Sequence, residues 1–279
     1  MIEIGRKSRL LAGRRAPPGV YLSQGDDEVL LPNRHVPPGL ELGTELEVFV
    51  YTDSDDRPVA TTQEPRAEVG QFAYLKVLDL GPHGAFLDWG LDKDLFVPFA
   101  EQEERMSIGE AHVVAVCLDE HTQRVMGSSR LAQFFEADLS GLELRQPVEL
   151  LVYRRTELGA QVIVNQRYSG LVYQSEAFVE LRVGQELAGY VQRLRSDGKL
   201  DISLKPQGAA GRDGDTQTLI RALEARGGHL PLHDNSPPEE IVKALSMSKK
   251  AFKRAVGTLY RQRLVELSPQ GITWVDRKK

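Results

Sequence analysis

The sequence has a single cysteine and no long apolar run. Because Cys117 has no second cysteine in the chain, it cannot form an intrachain disulfide, and its place in an apolar run predicts a core residue. No segment has the roughly 20 apolar residues that a membrane-spanning helix needs. Residues 1–4 lack the charged-then-apolar order of a secretory signal. We therefore expect a cytoplasmic protein with no membrane partner.

The sequence also lacks a constellation typical of catalysis or metal binding. The carboxylates of Asp53, Asp55 and Asp56 resemble cation ligands, but no Gly or Glu follows at calcium-loop spacing, which favours a solvated turn. Cys117 lies with Asp119 and His121 along one hairpin, where side chains on alternating faces do not converge as a catalytic triad requires. These patterns predict no enzyme activity, no cofactor and no metal ion.

The net charge of −5 is distributed unevenly along the chain. Residues 215–279 contain 12 Lys/Arg and 7 Asp/Glu, so this part is at +5 and the remainder is at −10. A basic C-terminal part on an acidic body favours an anionic partner there. On charge alone, a solvated surface of ordinary asymmetry explains the pattern equally well.

Three pairs of glycines at almost constant spacing indicate an internal repeat. The two members of a pair are 24 or 25 residues apart, and the pairs are Gly19/Gly43, Gly84/Gly109 and Gly159/Gly184. A strand pattern follows the first glycine of each pair. An apolar strand, a polar turn and a basic residue follow the second. Five short strands separated by turn signals predict a small closed barrel in each copy.

The remaining segments carry helical patterns. Apolar residues at helical spacing predict a short helix over residues 131–141, and residues 174–181 predict another. After a change to small residues near 207, three helices are expected. The second is capped by Ser236 with Pro237 at its first position, and the third, from Lys249 to Arg263, is capped by Ser248. A terminal hairpin over residues 265–275 completes the order of a winged helix.

The predicted fold class is mainly β with a C-terminal α+β domain, namely three tandem five-stranded barrels followed by a winged helix. The predicted domains are barrel 1 in residues 1–65, barrel 2 with a trailing short helix in 66–141, barrel 3 in 142–206, a linker in 207–214 and the winged helix in 215–279.

The barrel copies resemble the S1 domain, an OB-fold module repeated in the largest protein of the small ribosomal subunit. The resemblance rests on GAFLD at 84–88, GLVYQSE at 170–176 and LDISLK at 200–205. In that family an aromatic pair around the Gly-Ala step and an aromatic or His on the next strand stack on RNA bases. The resemblance places His83 and Phe86 on the pair in barrel 2, with Val97 replacing the His. Tyr173 stands at the His position of barrel 3, and Tyr21 keeps one aromatic in barrel 1.

Core packing is the alternative role for Phe86, Tyr21 and Tyr173. In each copy a basic residue follows directly after the hairpin turn, and these three residues are added to the aromatic ones as candidate RNA-binding residues. The set is Tyr21, Arg57, His83, Phe86, Arg124, Tyr173 and Lys199. On the third helix of the winged-helix domain, the candidate phosphate contacts are Lys249, Lys250, Lys253 and Arg254.

Three such barrels followed by a winged helix, over essentially the whole chain, are similar to the conserved virulence factor B family of bacterial proteins. Members of that family are regarded as RNA-binding regulators. The resemblance implies a non-enzymatic protein that binds single-stranded RNA across its barrels. The sequence leaves two alternatives open. One is a transcription regulator that uses the winged helix on duplex DNA, and the other is a scaffold whose barrels bind other proteins.

Overall fold

The structure is a computed structural model that describes residues 2–174, 180–205 and 209–275. The chain divides into two compact units, Met1–Phe135 and Glu136–Lys279. The first unit contains two barrels, and the second contains a third barrel and a helical domain. This architecture confirms the predicted fold class.

Each barrel has five strands in the spatial order first, second, third, fifth, fourth. The strands of barrel 1 are β1 (Arg6–Ala16), β2 (Gly19–Gln24), β3 (Asp27–Pro32), β4 (Glu45–Thr52) and β5 (Pro58–Thr61). Those of barrel 2 are β6 (Phe72–Gly81), β7 (Gly84–Asp88), β8 (Leu95–Pro98), β9 (Ala111–Leu118) and β10 (Val125–Ser128). Those of barrel 3 are β11 (Pro147–Thr156), β12 (Gly159–Val164), β13 (Tyr168–Tyr173), β14 (Glu186–Leu194) and β15 (Leu200–Ser203). Barrels 1 and 3 are closed, and barrel 2 is nearly closed because β10 lies beside β8.

The glycine pairs of the repeat have the same two structural roles in every barrel. A Cβ on the first glycine would lie 2.0 to 2.3 Å from a backbone carbonyl oxygen of the third strand, so only glycine fits that close approach. The second glycine has a φ of 82° to 88°. Its N–H donates to a carbonyl of the first strand next to a β-bulge, as Gly184 does to Val152 at 2.8 Å.

The C-terminal domain is a winged helix. Its helices are α1 (Ala209–Ala225), α2 (Pro238–Leu245) and α3 (Lys249–Arg261), and its strands are β16 (His229–Leu230), β17 (Val265–Ser268) and β18 (Gly271–Trp274). The sheet order is β16-β18-β17. The pairing of β16 with β18 was not expected from the sequence, because a two-residue strand carries no periodic signal. The start of α1 at Ala209 falls within residues 207–214, the segment expected to be a linker.

The helix predicted over residues 131–141 is wrong. Only Leu131–Phe134 form a single 3-10 turn, and Phe135 is extended with φ −83° and ψ 136°. The reason lies in packing, since Phe134 and Phe135 both contact the ring of Phe72, at 6.5 and 5.6 Å between centroids. Consecutive residues of an α-helix do not face the same neighbour. The second short helix, predicted over 174–181, lies mostly outside the described residues.

The cap predicted for α2 is also wrong, whereas the cap predicted for α3 is confirmed. Because Pro238 follows it, Pro237 is held in an extended conformation with ψ 142°, and the helix begins one residue later than expected. The hydroxyl of Ser236 instead accepts a hydrogen bond from the backbone N–H of His233. The hydroxyl of Ser248 accepts from the backbone N–H of Ala251 at 3.2 Å, and α3 ends at Arg261 rather than Arg263.

Candidate nucleic-acid interface

In each barrel, one residue from each strand lies beside its neighbour on the next strand, and together these residues form a line on the outside of the sheet. We call this line the outer row. In barrel 3 it crosses all five strands in spatial order as Arg154, Gln161, Leu171, Asp201 and Arg193. In barrel 1 the equivalent residues are Arg14, Tyr21, Leu30, Val59 and Tyr51. In barrel 2 the row runs through Asp79, Phe86 and Phe96, and the pair Met126 and Cys117 lies on β10 and β9.

The outer row of barrel 1 is largely covered. The guanidinium of Arg14 lies 3.7 Å from the centre of the Tyr21 ring and is held there by Glu28 at 3.0 Å. At the other end of the row, Tyr51 and Val59 are 4% and 5% exposed. They belong to one apolar cluster with residues of barrel 2, including Trp89 and Leu91. Tyr21 therefore has one ring face occupied by the protein itself.

Polar contacts reinforce the junction between barrels 1 and 2. The ammonium of Lys93 donates to the carbonyls of Thr52 and Asp53, both at 2.9 Å, and burial lowers the pKa of this lysine. Two predicted RNA-binding residues lie at the same edge: Arg57 forms ion pairs with Asp53 and Asp55 at 2.8 Å, and Arg124 forms one with Asp56. Both arginines thus have carboxylate partners.

The outer row of barrel 2 is apolar with acidic neighbours. Phe86 and Phe96 form a cross-strand pair with ring centroids 5.2 Å apart, both partly exposed, and His83 is exposed in the preceding turn. Burial, reinforced by the charges of nearby Asp88 and Asp79, raises the pKa of Asp94.

The assignment of Val97 to the His position is wrong. Val97 is fully buried inside barrel 2. Pro98 pairs with Gly84 as Tyr173 pairs with Gly159, so Pro98 is the counterpart of Tyr173. The sequence analysis also missed Phe96. Side chains alternate between the core and the outside along β8, and this alternation places Phe96 on the outside, beside Phe86.

Barrel 3 has a polar cleft at its outer row. The cleft has a volume of about 410 Å³ and is lined by Tyr173, Arg193, Arg195, Ser196, Asp197 and Asp201. The hydroxyl of Tyr173 donates to Oδ1 of Asp201 at 3.3 Å, and Nη1 of Arg195 lies 3.8 Å from the same oxygen. Nη2 of Arg195 also bonds Asp197 at 3.0 Å. Lys199 is exposed just beyond this hairpin turn.

In the winged-helix domain, α3 packs through Phe252, Val256 and Leu259, which are at most 3% exposed. Its opposite side carries the four predicted phosphate contacts, which we call the basic face: Lys249, Lys250, Lys253 and Arg254. Two of the four have acidic neighbours, since Lys253 lies 3.8 Å from Asp234 and Arg254 lies 3.7 Å from Asp215. Lys250 is exposed.

The remaining candidate chemistry concerns Cys117, which is half-buried. Burial, with smaller contributions from Glu101 and Asp119, raises the pKa of its thiol to about 12, so the thiol is a poor nucleophile at neutral pH. Within residues 2–174, 180–205 and 209–275, no three His, Cys, Asp or Glu side chains are grouped to hold a metal ion. Over the same ranges, no helix is both long and apolar enough to cross a bilayer.

Known protein families match three parts of the chain. Residues 4–63 match the S1 domain, residues 143–206 match the second domain of virulence regulatory factor CvfB, and residues 217–273 match the CvfB-like winged helix domain. The conserved virulence factor B of Staphylococcus aureus (strain bovine RF122 / ET3-1) is 27% identical over 241 residues, which are 84% of this chain and 80% of that protein. Two of the three matched models are therefore domains of the conserved virulence factor B family, to which this chain is similar over 84% of its length.

Two further similarities accompany this family match. A Bacillus subtilis (strain 168) protein named Uncharacterized protein YitL is 28% identical over 251 residues, which are 87% of this chain and 84% of that protein. A crystal structure of a multidomain protein with nucleic acid binding domains from Streptococcus pneumoniae is 24% identical and covers 98% of both chains, with a TM-score of 0.43.

The family matches fall on barrel 1, barrel 3 and the winged helix of this chain. S1 domains and winged helices are types of module that bind nucleic acids. In this chain the two barrels so matched differ at the outer row, which is largely covered in barrel 1 and open to a cleft in barrel 3.

Proposed function

We propose that this protein is a non-enzymatic regulator that binds single-stranded RNA through the cleft of barrel 3 and the basic face of α3. The observation that carries the proposal is the cleft itself, where the ring of Tyr173 lies beside Arg193 and Arg195. An aromatic ring next to cationic side chains suits a single strand, because a base stacks on the ring while the arginines contact its phosphates. The virulence regulatory factor domain matched at residues 143–206 supports a regulatory role.

The distribution of charge supports the choice of barrel 3 and the winged helix. Residues 1–65 contain 7 Lys/Arg and 11 Asp/Glu, and residues 66–141 contain 6 and 13. Residues 142–206 contain 9 and 8, and residues 215–279 contain 12 and 7. A polyanion gains most from the second half of the chain, because electrostatic attraction to phosphates supplies much of the affinity for nucleic acid.

Barrels 1 and 2 contribute less to RNA affinity in this proposal. One face of the Tyr21 ring is covered by Arg14, and Arg57 and Arg124 form ion pairs with carboxylates, whereas the cleft of barrel 3 adds the exposed Arg193 to the paired Arg195. The Phe86 and Phe96 pair offers rings to a base, but Asp79 is paired with Phe86 in the sheet and its charge repels phosphates. The first two barrels therefore contribute little to RNA affinity in this proposal.

The test is a titration of the purified protein with single-stranded RNA, single-stranded DNA and duplex DNA at two salt concentrations. We expect tightest binding to single-stranded RNA and a fall in affinity with salt. The double variant Arg193→Gln/Lys199→Gln should bind RNA more weakly. The matched control, Arg14→Gln/Arg57→Gln in barrel 1, removes the same charge and should bind nearly as well as the wild type.

Other outcomes identify the alternatives. A preference for duplex DNA would support a transcription regulator that uses its winged helix. No binding to any nucleic acid would support a protein scaffold. Equal losses in the two double variants would show that RNA responds only to net charge and not to the cleft of barrel 3.

A further inference from the structure

The cleft of barrel 3 contains more than a ring and cations, because a nearly buried carboxylate forms part of its wall. Asp201 is 7% exposed and lies on the outer row between Leu171 of β13 and Arg193 of β14. Its neighbours Leu200 and Ile202 point into the barrel core. Strand alternation therefore directs Asp201 outward, to the cleft.

The carboxylate of Asp201 is held in a fixed orientation. Among the described residues, its polar contacts fall on Oδ1, which accepts from the hydroxyl of Tyr173 and lies near Nη1 of Arg195. Asp197 holds the other terminal nitrogen of Arg195 at 3.0 Å. A carboxylate fixed by a tyrosine and an arginine presents hydrogen-bond acceptors in a defined direction, with arginine donors beside them.

A carboxylate in this position repels a phosphate and favours binding of a group that donates hydrogen bonds. Among the four RNA bases, guanine alone has two adjacent donors on its Watson–Crick edge, N1–H and the N2 amino group, that match the acceptors of a carboxylate. Adenine would place its N1 acceptor against the carboxylate, and uracil offers a single donor. The O6 and N7 acceptors of guanine suit arginine.

On the basis of the proposed RNA-binding function, we propose that the cleft of barrel 3 is a guanine-reading pocket, in which Asp201 accepts from the Watson–Crick edge. Tyr173 stacks on the base and orients the carboxylate, and Arg193 and Arg195 contact O6 or the adjoining phosphate. The cleft, at about 410 Å³, is large enough for one base and its sugar. Because the bulk of the RNA affinity is electrostatic, this pocket sets base preference more than it sets overall affinity.

The experiment compares short uridine oligonucleotides that contain one central guanosine, inosine or adenosine. Inosine differs from guanosine only by the missing N2 amino group. We expect the wild type to bind the guanosine oligonucleotide about ten-fold more tightly than the inosine one, the order of magnitude of one hydrogen bond to a charged group. Asp201→Asn should bring this ratio close to one, because the amide group of asparagine presents a donor where guanine also donates. The variant should still bind the uridine-rich oligonucleotides.

Glu186→Gln is the matched control. It removes one negative charge from the exposed start of β14 in the same barrel, outside the residues that line the cleft, so the ratio of guanosine to inosine binding should remain that of the wild type. Tyr173→Phe keeps the ring and removes the hydroxyl that orients Asp201, and we expect a reduced ratio. These variants also keep the inference testable if Asp201→Asn fails to fold.

The guanine pocket and the RNA-binding function can be refuted separately. If the wild type binds all three oligonucleotides equally well, the guanine pocket is wrong and RNA binding stands. If it binds none of them, the proposed function is wrong. If Glu186→Gln loses the ratio as completely as Asp201→Asn does, charge rather than base reading explains the preference.

Discussion

The repeated glycines allow a quantitative test of the fold, because barrel 2 separates two reasons for needing glycine. An ideal Cβ at Gly84 would lie 2.3 Å from the carbonyl oxygen of Val97, and no left-handed φ is involved. A Cβ at Gly109 would meet nothing within 4 Å, but the residue has φ +88°. Gly84→Ala therefore tests a steric clash alone, and Gly109→Ala tests backbone conformation alone.

The magnitudes follow from these geometries. To relieve the clash at residue 84, β7 and β8 must separate by about 1 Å, where the N–H of Phe99 donates to the carbonyl of His83 at 3.0 Å. Overpacking costs about 1–3 kcal/mol and a weakened hydrogen bond about 1 kcal/mol more, so we expect Gly84→Ala to lower the free energy of unfolding by roughly 3 kcal/mol. A left-handed alanine costs roughly 1–2 kcal/mol, which sets the expectation for Gly109→Ala.

Urea unfolding followed by tryptophan fluorescence measures both variants. Trp89 is 2% exposed in the cluster that joins barrels 1 and 2, and a Trp274→Phe background leaves it as the sole fluorescent tryptophan. With a slope near 2 kcal/mol per molar urea, Gly84→Ala should lower the midpoint by roughly 1.5 M and Gly109→Ala by about half of that. Gly141→Ala, with open space and no positive φ, should leave it unchanged. An unchanged midpoint for Gly84→Ala, or a larger fall for Gly109→Ala, would refute the steric argument.

Three further predictions concern the basic face of α3 and two titratable side chains. Replacement of the four residues of the basic face by Gln should reduce the slope of log affinity against log salt by roughly 0.7 for each phosphate that the helix no longer neutralises, and an unchanged slope would remove α3 from the interface. Burial, despite nearby Asp92, lowers the pKa of His35, which accepts a hydrogen bond from Arg34. The stability that this neutral histidine contributes is present above its unfolded-state pKa of about 6.5 and is lost as the pH falls. The melting temperature should change less between pH 5 and pH 8 for His35→Gln than for the wild type. Because the pKa of Cys117 is raised to about 12, alkylation at pH 8 should require unfolding, and rapid labelling of the native protein would contradict its burial.

The sequence predicted most strands and helices well, because the signals used, such as turn glycines and helix caps, each have a local physical cause. The glycine pairs mark backbone geometry that only glycine adopts, and Ser248 caps α3 through its own hydroxyl. The error at residues 131–141 has a long-range cause, unlike the error at the start of α2, which comes from the adjacent Pro238. The segment after Leu131 is extended because two consecutive phenylalanines contact Phe72, about 60 residues earlier in the chain. No periodicity within the segment encodes that contact.

The candidate site was harder to predict than the fold for the same reason. Tyr173 could be placed by its motif, but Asp201 becomes its partner only when β13 pairs in parallel with β15 across the closed barrel. Likewise, Arg57 and Arg124 carry the charge expected of phosphate contacts. The carboxylates that pair with Arg57 lie in its own turn, whereas Asp56 becomes the partner of Arg124 only when the hairpins of barrels 1 and 2 lie side by side.

The comparison of Arg14 with Arg154 shows how one fold can give the same side chain different neighbours. Both arginines follow the bulge of the first strand and begin the outer row of their barrel. In barrel 1 the row continues with Tyr21, and Glu28 on the next strand fixes Arg14 over that ring. In barrel 3 the equivalent residues are Gln161 and Ser169, which supply neither a ring nor a carboxylate. The arginine of barrel 1 therefore covers the aromatic ring of its own sheet, and no such pair can form at the same place in barrel 3. Two differences, on the second and third strands, thus give equivalent arginines of the two barrels different neighbours.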